Sequence, residues 1–523
     1  MASPGAGAGS SVAPSPDELR AVPNHLRNAT LTNPDPRDAK ERRMAQMMID
    51  NSSMPLAIYQ VTIAGAHNFR RGFLDPIFSP LLADSPDAPS TMGDVLTRLQ
   101  MVSAKLSGLQ ILREPPSFHL SRSSQADAAT TAGDVDVAIG LRELPRFRLQ
   151  SGTDVGNGEG SAYGSLLCRN MFGGAEMLTL NAKTGTRTRS AYSANLSAPV
   201  LSDPDMRISI EGLASSAEKP WASHDEVVKG AALRFSWLNA QRDSHSVEWS
   251  GSWRQITGLS ATASPTVRFD AGDTVKSAIK HTFYRERRDN PHLPQAGHML
   301  RSSWEVAGIG PLGGDLAFSK SEFEMSGALP VSLPGISGRT GISVGAGLRT
   351  GLLWPLPLGY QLGGRALPSR INDRFLLGGP TDVRGFKLAG LGPHDGRDSV
   401  GGDMFAAGSV NVLLPLPYKG PESGLRFQLF ANGGRLVTLG DEDRAKGAKT
   451  ASDQGLTAQA VCDGMLRAAS RLVDGVPSIS AGVGLVYAHP VARFELNFSL
   501  PLVLRKGEVA TKGLQMGVGI NFL

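Results

Sequence analysis

The sequence predicts an all-β transmembrane barrel of about 16 antiparallel strands behind one small α+β domain, and three observations carry that prediction. The 523 residues include 61 Gly and only 19% charged residues, a balance that suits many strands joined by tight turns. From Glu159 onward, apolar and polar side chains alternate with period 2 over long segments. Nowhere does the chain reach the run of about 18 uncharged apolar residues that a spanning helix requires, so a bilayer could be crossed only by strands.

Residues 1–52 are Ala, Gly, Ser, Pro and mixed charge, the composition of a disordered arm. They lack the apolar stretch of a secretory signal and carry acidic residues where a transit peptide avoids them, which for a barrel points to synthesis in the cytosol of a eukaryote. The α+β domain is expected over 53–158. It opens with a strand at Leu56–Ile63 and a turn at Gly65, Ala66, His67 and Asn68, followed by a short apolar helix around Phe69–Leu82. A second helix fits Thr91–Leu109, where Val95, Leu99, Val102, Leu106 and Leu109 recur on one face. Strands at Ser117–Leu120 and Val135–Leu149 follow, separated by a Ser/Ala/Asp-rich loop.

The barrel is expected over 159–523. The clearest alternation puts Phe494, Leu496, Phe498 and Leu500 on one side and Glu495, Asn497 and Ser499 on the other. Leu178, Leu180 and Ala182 alternate likewise with Thr179, Asn181 and Lys183, and Val247, Trp249 and Trp253 with Glu248, Ser250 and Arg254. Leu514, Met516, Val518, Ile520 and Phe522 against Gly513, Gln515, Gly517, Gly519 and Asn521 predict a terminal strand. Roughly 22 residues for each strand with its loop, over about 360 residues, gives about 16 strands. Soluble sandwiches and propellers also alternate, but runs of nine or more residues with aromatic ends favour the membrane barrel. One stretch departs from the pattern: Gly455–Gly475 carries Leu456, Val461, Leu466 and Leu472 at helical spacing and predicts a helix inside a long loop.

Several function classes are disfavoured. A net charge of +5 with dispersed basic residues gives little support for nucleic-acid binding. Cys168 and Cys462 lie far apart, against a disulfide framework or a thiolate zinc site. There is no phosphate-binding loop, no H-E-x-x-H and no clustered ligand set, so neither an enzyme nor a cofactor or metal is expected. Gly341, Ser343 and Gly345 match G-x-S-x-G, but Gly-rich alternation rather than a helix follows. His281, His292 and His298 are spaced for no single helix or hairpin metal site.

Arg374–Phe386 reads RFLLGGPTDVRGF and is followed by Gly401, Gly402 and Asp403 before an apolar strand. This segment resembles the POTRA-plus-barrel family of outer-membrane proteins that insert or translocate polypeptides, whose barrels fold a long loop back inside on a V-R-G-F/Y tip. Val383, Arg384, Gly385 and Phe386 match that tip, with the in-folded loop around 379–400. The resemblance extends to Asn170, Phe172, Gly173, Gly174, Ala175 and Glu176, and to Gly313, Gly314, Asp315, Phe318 and Lys320. Strand, helix, helix, strand, strand is the order of one POTRA domain, and one rather than several favours the mitochondrial branch. What the resemblance implies is a core assembly subunit that inserts and folds β-barrel precursors in the mitochondrial outer membrane through a lateral gate between first and last strands. The alternative is a polypeptide-translocating channel of the same family. Implied partners are β-barrel precursors such as porin and the import-channel subunit, recognised by their C-terminal signal, together with peripheral metaxin-like receptors on the cytosolic face and membrane lipid. The POTRA domain would then face the intermembrane space.

Within that frame, Arg384 inside a lumen needs a carboxylate, and Glu495, on the polar side of a late strand, is the candidate. Gly385 permits the close backbone approach of such a tip. In secretion branches of the family, the resemblance implies an acid at the position where this chain has Asn432. The expected gate joins a first strand at Glu159–Cys168, with Gly160, Gly164 and Cys168, to a last strand at Lys512–Leu523, with Gly513, Gly517 and Gly519. Gln515, Gly517, Ile520 and Phe522 fit the terminal signal that mitochondrial barrel substrates resemble one another in, so a substrate strand could take this strand's place.

Overall fold

A computed structural model of the chain describes residues 43, 46, 47, 50–82, 90–123, 133–156, 159–309, 313–332, 340–358, 365–417, 420, 423–439, 456–490 and 492–519. Two compact units emerge, one drawn from 1–64, 78–104 and 116–140, the other from 65–77, 105–115 and 141–523.

In the first unit, β1 (Ala57–Ala64) runs parallel to β3 (Asp134–Gly140), which pairs antiparallel with β2 (Ser117–Arg122). Between β1 and β2 the chain forms α1 (Arg71–Leu82) and α2 (Met92–Gly108). Thr91 starts α2 by a reciprocal cap: its Oγ1 accepts from Asp94 N while its own N donates to the Asp94 carboxylate. Apolar periodicity then does what it does in any soluble domain, burying Phe78, Leu81, Val95, Leu99, Val102, Val137 and Ile139.

The second unit is a 16-stranded sheet among the described residues, every neighbour antiparallel. Its strands are β4 (Phe147–Gly156), β5 (Glu159–Arg169), β6 (Met177–Gly185), β7 (Thr188–Val200), β8 (Asp203–Lys219), β9 (His224–Leu238), β10 (Ser244–Thr257), β11 (Gly272–Glu286), β12 (Gly297–Ala307), β13 (Phe318–Pro330) and β14 (Ser343–Pro355). A long connection holds the two-residue strands β15 (His394–Asp395) and β16 (Asp398–Ser399), after which come β17 (Met404–Pro415), β18 (Leu425–Val437), β19 (Ser478–Ala488), β20 (Arg493–Val503) and β21 (Gly513–Gly519). A short helix, α3 (Pro265–Phe269), lies between β10 and β11, and α4 (Ala458–Asp474) between β18 and β19, within the stretch whose spacing predicts a helix. Many strands exceed ten residues and β8 reaches 17, the length a tilted membrane crossing needs.

The dressing of this sheet is the reverse of a soluble core. On β20, Leu496, Phe498 and Leu500 are 42%, 56% and 48% exposed, while Glu495, Asn497 and Ser499 are at most 1% exposed. Apolar side chains face outward toward lipid and polar ones face the interior, as a transmembrane barrel requires.

Two boundaries differ from the sequence expectation. The single strand expected at Val135–Leu149 is two: β3 ends at Gly140, and Pro145, which has no N–H for a ladder, precedes β4 at Phe147. The barrel therefore begins at β4 rather than at 159, and Glu159–Arg169 is its second strand. Phe147 and Leu149 stand 68% and 77% exposed, the signature of a lipid-facing strand rather than of a soluble domain's last one.

Candidate functional site

The connection between β14 and β17 enters the barrel and builds an apolar cluster inside it. Phe375, Leu377, Val383, Phe386 and Leu391 from the connection pack with Phe318, Leu353, Phe405, Ala407 and Leu436 from the wall. Gly378 and Gly379, at φ +105° and +138°, turn the chain, and Asp382 closes the turn by accepting from Gly378 N at 2.9 Å. Arg349 on β14 holds Asp382 from the wall at 3.3 Å.

At the tip, Arg384 meets Glu495 in fork geometry, Nε to Oε2 at 2.9 Å and Nη2 to Oε1 at 3.1 Å, with both side chains fully buried. Glu495 also receives Arg493 at 2.5 Å and Asn497 Nδ2 at 2.7 Å, so its lone pairs are well used. The Arg384 guanidinium lies 5.1 Å from the Phe430 ring centre, completing its desolvated surroundings. Ser480 on β19 donates to the Arg384 carbonyl, and its Oγ lies within hydrogen-bond distance of the Asn432 side-chain amide, so Asn432 enters the same network. Gly385 sits at φ +85°, and a Cβ there would come 2.8 Å from Ser480 Cβ, so only glycine fits.

The tip also reaches the last strand. Gly385 N donates to Gln515 Oε1 at 2.8 Å, and Gln515 Nε2 donates to the Phe386 carbonyl at 3.2 Å. Backbone bonds from Thr511 N to Gly385 O and from Lys387 N to Val509 O, 2.9 and 3.1 Å, join the tip to the segment entering β21. The structure therefore places Val383, Arg384, Gly385, Phe386, Glu495 and Gln515 together, with Gly517 opposite Glu495 in the β20–β21 ladder. Ile520 and Phe522 lie outside the described residues.

A second anchor, missed in the sequence reading, holds the base of the connection. Asp373 binds Arg254 of β10 through two bonds of 2.8 and 2.9 Å and lies 3.4 Å from Lys276 of β11, while Lys320 of β13 donates to its carbonyl at 2.9 Å. Burial by itself would raise the Asp373 carboxyl, but Arg254 and Lys276 outweigh it and hold the group down at about 2. The signal was present: Arg254 falls on the polar side of its strand, and Asp373 immediately precedes the recognised segment.

The hairpin between β5 and β6 is closed by its own side chains, Glu176 accepting from Phe172 N and Gly174 N at 3.2 and 3.0 Å and Asn170 from Ala175 N at 3.0 Å. Asp315 beside Gly314 accepts from Val275 N at 2.8 Å.

The sheet has two edges, β4 and β21, and among the described residues no ladder joins them. Gly160, Gly164 and Cys168 do not line that edge. They sit on β5, paired on one side with Val155, Ser151 and Phe147 of β4, with Gly164 and Cys168 also facing β6. The expected gate strand was one strand late because the α+β domain was credited with residues of β4.

The sequence pattern of the Omp85 superfamily domain matches residues 170–522. A SAM50-like protein of Schizosaccharomyces pombe is 35% identical over 484 residues, covering 92% of this chain and 94% of its own. The human sorting and assembly machinery component 50 homolog is 30% identical over 82% of this chain and 84% of its own, and the Saccharomyces cerevisiae sorting assembly machinery 50 kDa subunit 28% over 91% and 97%. BamA from Haemophilus ducreyi, in a form lacking POTRA domains 1–3, superposes with a TM-score of 0.67 over 89% of this chain and 84% of that one at 13% identity, which speaks to the fold alone. Fold, in-folded loop and sequence agree, and the chain belongs to the Omp85 superfamily, among the sorting and assembly machinery 50 proteins.

Proposed function

We propose that this protein inserts and folds β-barrel precursors in the mitochondrial outer membrane, with its own edge strands as the template. The observation that carries this reading is that β4 and β21 stand at the two edges of the sheet, unjoined among the described residues, with the in-folded loop fastened to β20 and β21. An unpaired strand edge in lipid is very unfavourable, so a precursor strand is captured there by β-augmentation and shielded while its hairpins form. No nucleotide and no bond-breaking chemistry are needed for that step. Substrate pairing is assigned to β4, with the precursor's terminal strand standing where β21 would. The relatives named for a sorting and assembly machinery support a role in barrel assembly; to that reading we add peripheral metaxin-like receptors on the cytosolic side and the N-terminal unit in the intermembrane space.

The test is disulfide cross-linking in isolated mitochondria between cysteines along Phe147–Thr153 and the last strand of an arrested porin precursor. Adducts that advance in register along β4 support the reading. Adducts restricted to inward positions on other strands favour a polypeptide-conducting channel, and adducts on β5 without β4 reject the edge assignment.

A further inference from the structure

The helix α4 carries more apolar surface than the barrel covers. At 3.6 residues per turn, Val461, Gly464, Met465 and Ala468 form one face, and all are buried where the helix packs against β14, β17 and β18. A second apolar stripe, Cys462, Leu466, Ala469 and Val473, runs roughly 110° further round the axis and continues to Val476. That stripe is bare: Leu466, Val473 and Val476 are 66%, 82% and 66% exposed. Asp463, Ser470 and Asp474 occupy the arc beyond it, so the helix has three faces and not two.

The strand beneath shows where the helix lies. On β18, Gly434 opposes Ser478 and faces the interior, so Arg435 and Val437 take the outward, lipid-facing register. Both are only 7% exposed, and the Arg435 guanidinium occupies the space in which a Cβ on Gly475 would sit. The end of α4 therefore covers the outer wall at the loop end of the barrel, beside a belt that already faces lipid at Leu429 and Val410.

We propose that α4 is an interfacial strap, lying in the angle between the outer barrel wall and the membrane surface, with Cys462, Leu466, Val473 and Val476 entering the acyl region of that leaflet. One face meets the wall, the next meets lipid and the third meets water, the order the three arcs take around the axis. This rests on the barrel spanning the membrane and not on the insertase reading, so each can fail separately.

Cys462 is free and exposed, and Cys168 is buried, so Cys168→Ala leaves one native probe on the stripe. In full-length protein reconstituted in phosphatidylcholine/phosphatidylethanolamine/cardiolipin liposomes, Cys462 is expected to react several-fold more slowly with a charged maleimide than a cysteine placed by Ser470→Cys. A polarity-sensitive fluorophore on Cys462 is expected to be quenched by nitroxides on lipid acyl chains and not by iodide. Leu466→Gln with Val473→Gln should restore reaction at Cys462, and if that variant does not accumulate the quenching measurement decides alone. Equal reaction at positions 462 and 470 overturns the proposal. So does protection of Cys462 without acyl-chain quenching, which would mean that protein covers the stripe instead.

Discussion

The in-folded connection is held at two places with opposite polarity. At its base an acid on the loop, Asp373, meets cations on the wall, Arg254 and Lys276; at its tip a cation on the loop, Arg384, meets an acid on the wall, Glu495. The base is tied to β10, β11 and β13, strands deep within the sheet, whereas the tip is tied to β19, β20 and β21, at one edge of the sheet. The difference teaches that the same physics serves two ends: far from the edge, buried pairs fix the loop to the middle of the wall, and near it they couple the loop to the edge strand β21.

The sharpest break of that comparison is Glu495→Ala, which strands Arg384 and Arg493 in a buried site. A loss of about 3–5 kcal/mol is expected in detergent unfolding, with precursor insertion lost as well. If the pair acts as a unit, adding Arg384→Ala should cost much less than the sum, and full additivity in that double-mutant cycle would deny the coupling. Asp373→Asn should come next, at about 2–3 kcal/mol, since the amide keeps one bond and loses the charge. Its cross-links from β4 to precursor should persist in folded protein; their disappearance would show that base and tip are one device.

Gly385→Ala should follow, at about 1–3 kcal/mol, from a positive φ and the collision with Ser480. Gln515→Leu removes two bonds to the tip and is expected to cost about 1–2 kcal/mol while making β21 more susceptible to exchange, read as faster hydrogen exchange at its amides. Acid provides the mildest test. The Asp373 carboxyl falls from its ordinary 3.8 to about 2 in the fold, so its contribution is complete above the higher value and fades as pH drops toward the lower. Unfolding midpoints should therefore decline between those values more in the parent protein than in Asp373→Asn, and parallel declines would assign the loss to other carboxylates.

How much was legible follows from the range of each signal. Alternation on β20 was enough to put Glu495 inside and Phe498 outside, because a strand's side-chain period is local. Spacing within Gly455–Gly475 was enough for α4, though not for which of its two apolar stripes would be covered, since that depends on β18 lying beneath it. Val135–Leu149 reads as one strand because the alternation of Phe147 and Leu149 with Arg146 and Arg148 looks the same at the end of a soluble sheet and at the start of a barrel. Gln515 was read only as part of a terminal signal, and its hold on the loop tip needed the fold to bring together residues 130 apart.

The sequence by itself determined the class of the protein, the inward and outward faces of its strands and the residue types at the loop tip, all set by chemistry within a few positions. Only the tertiary structure decided which strand is first, that Asp373 ties the base of the loop to Arg254 and Lys276, and which surfaces remain bare. Those depend on register and closure across 16 strands, and register is a relation between distant segments that no local pattern encodes.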